Sequence, residues 1–212
     1  MVKVGSIVNN EGGNMRYVIG LTGGIASGKS AVSNIFFQNG VSIIDADVVS
    51  RFVMRDGSAC AVAVLKAFPS CENDGKVDRK KLRQIVFCDK EKLNVLNSIT
   101  HPFIKEEITR QIECLDGLIL LVVPLLFETG YDKVCDCVVC VTSDVETRIK
   151  RLVLRDNIDK CLALDMINSQ MSDDQRIIRS DYVIENNACL NELNSKVSNL
   201  LKIISENTHK NK

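Results

Sequence analysis

The stretch Gly23-Gly24-Ile25-Ala26-Ser27-Gly28-Lys29-Ser30 limits what this chain can become more than any other. It fits G-x-x-x-x-G-K-[ST], a loop that wraps backbone N–H groups around phosphate oxygens. Gly23 and Gly28 permit backbone angles that a Cβ opposes. Lys29 brings a mobile positive charge to the outer phosphates. Ser30 offers a hydroxyl to Mg²⁺ and opens a helix, whose N-terminus itself favours anions. The flanks agree with the motif. Tyr17-Val18-Ile19-Gly20-Leu21 is a short apolar run of the buried-strand type, and Val32, Ile35 and Phe36 follow at helical spacing until Gly40 supplies a stop. Strand, glycine loop and helix come in the required order, which a chance glycine turn lacks.

A length of 212 residues suits one α/β domain with inserted subdomains. Acids and bases balance at 27 each, so no global field recruits nucleic acid or a membrane surface. No apolar run reaches a membrane-spanning length, and no basic-then-apolar signal segment opens the chain. Nine cysteines, an odd number, read as reduced thiols of a cytoplasmic protein rather than a secreted disulfide framework. Residues 1–14, rich in glycine and asparagine, read as a flexible leader, with the folded domain expected from Met15.

Val41-Ser42-Ile43-Ile44 is a second strand that runs into Asp45-Ala46-Asp47. Ligands gather at the carboxyl ends of parallel strands. Two carboxylates there suit a proton acceptor and a magnesium partner, and the same pair equally suits a helix N-cap followed by a solvated acid. Residues 48–116 read as mostly helical, with Ser58 and Asp78 as caps and Asn73-Asp74-Gly75 as a turn. Pro102 turns His101 away from helix and starts a new one, with Ile104, Ile108, Ile112 and Leu115 on one stripe. The region is too long for a simple crossover and reads as an inserted, helical, substrate-binding part. His101 by itself fits a structural hydrogen-bonder better than a catalyst.

Leu118 to Val123 is a continuous apolar run, as a central parallel strand should be. It ends in Pro124-Leu125-Leu126-Phe127-Glu128, which leaves Asp45, Asp47 or Glu128 to help hold a metal. Val134 to Val141 is a further strand whose Cys135, Cys137 and Cys140 read as small packed side chains. Ser143 and Glu146 have capping-box spacing at the start of a helix, on which Arg148, Arg151 and Arg155 share a face. That stripe fits a solvated basic face, or a lid whose arginines close over transferring phosphate. Ser172 and Gln175 make a second capping box. Tyr182-Val183-Ile184 is a short strand, and Leu190, Leu193, Val197, Leu200 and Ile204 trace a C-terminal amphipathic helix.

From Met15 to about Asn191 the chain resembles the dephospho-coenzyme A kinase family. The resemblance rests on Ile19 to Ile25 leading into Ser27-Gly28-Lys29-Ser30, Ile44-Asp45-Ala46-Asp47, Asp78-Arg79 with Leu82-Arg83 and Val86-Phe87, Leu96 to Ile104, Pro124 to Glu128, and Asp181 to Asn186. Many families share the phosphate loop, whereas the joint order of these segments is specific. The chain departs from the family pattern at three positions. Ala26 stands where the family usually has Gly, and keeps the loop only if its φ is negative. Ala31 replaces a frequent Thr, and Met166 a frequent Arg.

The resemblance implies an α/β, three-layer P-loop kinase fold: a five-stranded parallel sheet, a helical acceptor-binding region at 48–116 and a lid at 144–180, all within one domain over 15–212. It implies transfer of the γ-phosphoryl group of ATP to the ribose 3′-hydroxyl of dephospho-coenzyme A, with Mg²⁺ held by Ser30 and Asp47. Nucleotide contacts are expected along Thr22, Gly23, Gly24, Ile25, Ala26, Ser27, Gly28, Lys29, Ser30 and Ala31, joined by Arg151 and Arg155. Asp47 resembles the family's general base, with Lys29 and Arg155 compensating charge. Asp45, Asp47, Arg83 and His101 are the acceptor-side candidates. The expected partners are small molecules, with no nucleic acid and no membrane. Another small-metabolite kinase could share the core, but the acceptor-side segment argues against it. A GTP-dependent switch would carry Asn-Lys-x-Asp and Asp-x-x-Gly; the only Asn-Lys is Asn211-Lys212.

Overall fold

A computed structural model of the chain describes residues 16–87 and 89–210. The expected leader, 1–14, lies outside them. The first elements are β1 (Arg16–Gly23), α1 (Lys29–Gln38), β2 (Ser42–Asp45), α2 (Ala46–Val53) and α3 (Ala59–Ala67). Two short strands, β3 (Glu72–Asn73) and β4 (Lys76–Val77), precede α4 (Arg79–Phe87) and the long α5 (Lys90–Glu113). The chain continues through β5 (Gly117–Val122), β6 (Cys137–Thr142), α6 (Val145–Asp156), α7 (Lys160–Asn168), α8 (Asp173–Arg179), β7 (Tyr182–Glu185) and α9 (Leu190–Lys210). Residues Ile44–Cys114 form one compact unit, and the described residues on either side of that segment form the other.

The five apolar runs form a five-stranded parallel sheet in the order β2-β5-β1-β6-β7. Central β1 is hydrogen-bonded to β5 with Ile19 opposite Leu120, and to β6 with Leu21 opposite Val139. Alternation along each strand sends Ile19, Leu21, Leu120, Val122, Val139, Val141 and Ile184 to one face. There they meet Val32, Ile35 and Phe36 of α1 and Leu193, Val197, Leu200 and Ile204 of α9 in one buried cluster. Each such side chain contributes about 1.5–3 kcal/mol by leaving water. Helix α8 packs on β6, where Arg176 is within electrostatic reach of Cys140, a residue of the opposite face. Helices on both faces of the sheet make three layers, as expected, and explain why its strands are apolar throughout. The phosphate loop leaves the carboxyl end of β1, the end where such sheets collect ligands.

In the helical unit α2, α3 and α4 each pack on α5. The expected caps are present: Ser58 Oγ accepts from the Ala61 N–H at 3.0 Å, and Asp78 Oδ1 accepts from Lys80 and Lys81 N–H at 3.0 Å each. β3 and β4 pair as a hairpin whose Asp74 and Gly75 have φ of 51° and 75°, the double left-handed geometry that Asp-Gly favours. One expectation fails. Pro102 starts no new helix, because α5 runs unbroken through His101 and Pro102. Pro102 removes one N–H from the ladder, yet Thr100 is buried, its hydroxyl bonds the Leu96 carbonyl at 3.0 Å, and three helices pack along α5. Packing overrides the local preference.

The capping box of Ser172 and Gln175 forms at the start of α8. The one expected at Ser143 and Glu146 does not. Asp144 holds the N-cap position of α6 with no side-chain cap, and Asn187 Oδ1 accepts from the Ser143 hydroxyl and the Asp144 N–H at 2.9 and 2.8 Å. A side chain beyond β7 does what Glu146 was expected to do.

Candidate active site

Gly23 ends β1 with φ 150°, and a Cβ there would strike the Val141 carbonyl of β6. Gly28 precedes α1 with φ 98°, and a Cβ there would strike the amide of Asn186. Both glycines are demanded by conformation and by space. Ala26 corrects the sequence reading. Its φ is +58°, so the loop keeps its shape with an alanine in the left-handed region rather than through a negative φ. That costs about 1–2 kcal/mol, and hydrogen bonds to the loop's carbonyls offset it.

Those bonds form a collar around the outside of the loop. Arg148 Nε donates to the Ile25 carbonyl at 2.9 Å, and Arg151 Nη1 to the Ala26 and Ser27 carbonyls at 3.1 and 3.2 Å. Asn186 Nδ2 donates to the Ser27 carbonyl at 2.8 Å, and the Ile25 N–H donates to Gln170 Oε1 at 2.7 Å. Ala26→Gly is expected to relieve the strain, less the extra entropy of an unfolded glycine. The net gain is about 0.5–1 kcal/mol, a melting-temperature rise of about 1–4 °C for a chain of this size. Calorimetry checks it. A fall would mean that the methyl's packing against the Leu152, Ala163 and Ile167 cluster outweighs the strain.

Inside the loop, Lys29 Nζ donates to the Gly23 and Gly24 carbonyls at 2.8 and 3.0 Å. Ser30 is exposed on the first turn of α1, with Ala31 half-buried beside it. Thr22 is fully buried and donates to the Pro124 carbonyl at 3.2 Å, tying the loop's entrance to the chain just after β5. Cys140 lies under this region. Burial pushes its thiol up to about 11, with Asp173 adding to the rise and Arg176 and Lys29 opposing it. It stays protonated at neutral pH and is no nucleophile.

The arginine stripe of α6 is not a solvated basic face. Arg148 is 3% exposed and ion-pairs with Asp173 at 3.0 Å. Arg151 reaches Ser143 Oγ and the Asn186 carbonyl besides the loop. Arg155 alone turns outward, 59% exposed, and meets Asp156 through two bonds of 2.7 Å. The structure thus brings Thr22 to Ala31 together with Arg151.

Asp45, Asp47, Arg83 and His101 lie in the helical unit. Asp45 is the N-cap of α2: its Oδ1 accepts from the Asp47 and Val48 N–H groups at 2.8 and 3.2 Å. Asp47 is exposed on the first turn, and its carbonyl accepts from Arg51 Nε at 3.2 Å. Arg83 on α4 and His101 on α5 are exposed. Sequence reasoning missed Gln170, Asp173, Arg176 and the loop-facing role of Asn186. Two of these carried a signal: Asn186, as the end of the segment Asp181 to Asn186, and Gln170, as the Gln of the Ile-x-x-Gln pattern that follows Met166.

Comparison with known proteins adds the following. A family model described as dephospho-CoA kinase (CoaE) matches residues 17–192. A dephospho-CoA kinase of Fusobacterium nucleatum is 42% identical over 88% of this chain and 98% of its own length. One of Shewanella oneidensis is 38% identical over 86% and 90%. Among solved structures, the dephospho-CoA kinase from Campylobacter jejuni superposes with a TM-score of 0.70 at 26% identity, covering 92% of this chain and all of that one. TT1252 from Thermus thermophilus gives a TM-score of 0.78 at 27% identity over 88% and 97%.

Proposed function

The chain belongs to the dephospho-CoA kinase family, and from that premise we propose how its residues share the transfer. The enzyme phosphorylates the ribose 3′-hydroxyl of dephospho-coenzyme A with ATP, the last step of coenzyme A biosynthesis. The 3′-oxygen attacks the γ-phosphorus, the bond to the bridging oxygen breaks, and ADP leaves. Such transfers need alignment and charge compensation more than covalent chemistry.

The loop's N–H groups and Lys29 hold the β and γ phosphates, the lysine exchanging the Gly23 and Gly24 carbonyls for phosphate oxygens. Thr22 acts through the loop that it anchors, and Gly24 to Ala31 supply the cradle and the start of α1. Asp47 takes the proton from the 3′-hydroxyl, and Asp45 steadies it by capping the turn on which it sits. Arg83 and His101 are the acceptor-side contacts. Helices α6 to α8, within 144–180, act as the lid. There Arg155 leaves Asp156 to compensate charge, while Arg151 adds positive potential behind the loop. Mg²⁺ is assigned to the exposed Ser30 hydroxyl and to the carboxylate of Asp47, each by itself a hard oxygen donor of the kind that it prefers. Held there, it would supply positive charge to offset that of the transferring phosphates. Both partners are small molecules. A cytoplasmic setting, suggested by the odd count of nine cysteines, is part of the same reading.

What carries this reading is one family match spanning both the phosphate loop and the acceptor-side residues. The test is ADP release from ATP with a panel of acceptors. Dephospho-coenzyme A should be phosphorylated, with little turnover of nucleoside monophosphates or shikimate. A preference for another acceptor would overturn the assignment.

A further inference from the structure

We propose that Arg148 is a positioning residue for ATP, interlocked with Gly24, that sets the orientation of the Ile25–Ala26 peptide. In a trans peptide the C=O and the following N–H point in opposite directions. Capture of the Ile25 carbonyl by Arg148 on the outside of the loop at 2.9 Å therefore turns the Ala26 N–H the other way, toward the phosphate side. This peptide most needs such a hold. Ala26 sits at φ +58°, and rotation of the peptide would relieve the strain while withdrawing a phosphate donor.

The guanidinium is itself fixed. Asp173 accepts from Arg148 Nη1 at 3.0 Å and from Arg176 Nη1 at 3.3 Å. Arg176 is fully buried, donates to the Met171 carbonyl and faces Glu128 at 3.8 Å. A line of alternating charges thus runs from Glu128 through Arg176 and Asp173 to Arg148 and ends on the loop. Gly24 completes the interlock. No positive φ demands glycine there, but a Cβ would strike Arg148 Nη2 and stand 2.7 Å from its Cζ. Glycine at 24 is the space that lets the guanidinium reach the Ile25 carbonyl.

The two positions are then one device, which kinetics on the full chain can test. Arg148→Met keeps the apolar stem and removes the head. It should raise the KM for ATP about tenfold to a hundredfold, the scale of a charged hydrogen bond, while kcat at saturating ATP falls much less. Gly24→Ala should do the same by displacing the guanidinium. The double variant should be no worse than Arg148→Met alone, because the methyl then has room. Arg148→Lys should not restore binding, since an ammonium lacks the planar fork that meets two acceptors. Adding Ala26→Gly to Arg148→Met should recover nothing if the loss is of peptide orientation, because glycine frees rotation further. Multiplying defects in the double variant, or full restoration by lysine, would overturn the proposal. Should Arg148→Met fail to fold, Gly24→Ala decides alone: a folded protein with an unchanged ATP KM sinks the interlock.

Discussion

Lys29→Ala is expected to retain the fold and lose turnover by a factor on the order of 10²–10³, the usual loss when one preorganised charge is removed from a transition state. The fold survives because Lys29 is half-buried at the first position of α1, outside the hydrophobic cluster. Its head bonds the Gly23 and Gly24 carbonyls. Losing that contact costs about 1–3 kcal/mol at most, a shift of several degrees in melting temperature. Turnover depends on the same head in another place, at the transferring phosphate. Stopped assays with purified protein, alongside thermal melts, separate the two. Near-normal kcat in a folded Lys29→Ala protein would take the phosphate loop out of the chemistry.

Asp47→Asn should bind ATP as before and turn over about 10²–10⁴ times more slowly, the range for losing a general base. Packing survives because the side chain is exposed and asparagine has nearly the same shape. The cap also survives, because Asp45 supplies the carboxylate and position 47 only its backbone N–H. An acid in the first turn favours the helix by about 0.3–1 kcal/mol, so a small loss of stability is expected. Magnesium titration divides the remaining effect. A slower rate at unchanged Mg²⁺ affinity assigns proton transfer or orientation, and weakened affinity assigns coordination. Wild-type turnover would remove Asp47 from both roles.

Features encoded by neighbours along the chain were legible beforehand. The strand-loop-helix of β1 and α1, the continuous apolar runs of the sheet, the caps at Ser58, Asp78 and Ser172 and the turn at Asn73-Asp74-Gly75 follow from spacings of a few residues, whereas the strands β3 and β4 that flank this turn were not expected. The failures share the opposite property. Ser143 looks like half of a capping box, yet its partner is Asn187, 44 residues on. Pro102 predicts a break that contacts from α2, α3 and α4 cancel. Ala26 has a positive φ beside a carbonyl that Arg148 of α6 holds from 123 residues away. Charge periodicity alone could not separate buried Arg148 from exposed Arg155, because both lie on one helical stripe and differ only in what the rest of the chain puts against them.

The collar also has a consequence for the order of synthesis. The loop at residues 23–30 leaves the ribosome early, but the groups that hold its carbonyls are far downstream. Arg148 meets Ile25 across 123 residues of chain, and Asn186 meets Ser27 across 159. Ordering a segment against partners so distant must wait for them, since closing so long a chain costs entropy that only the finished contacts repay. The nascent protein therefore holds its phosphate-binding sequence for most of translation without its phosphate-binding shape. Whatever nucleotide affinity depends on this collar is therefore available to the growing chain only once Asn186 has emerged.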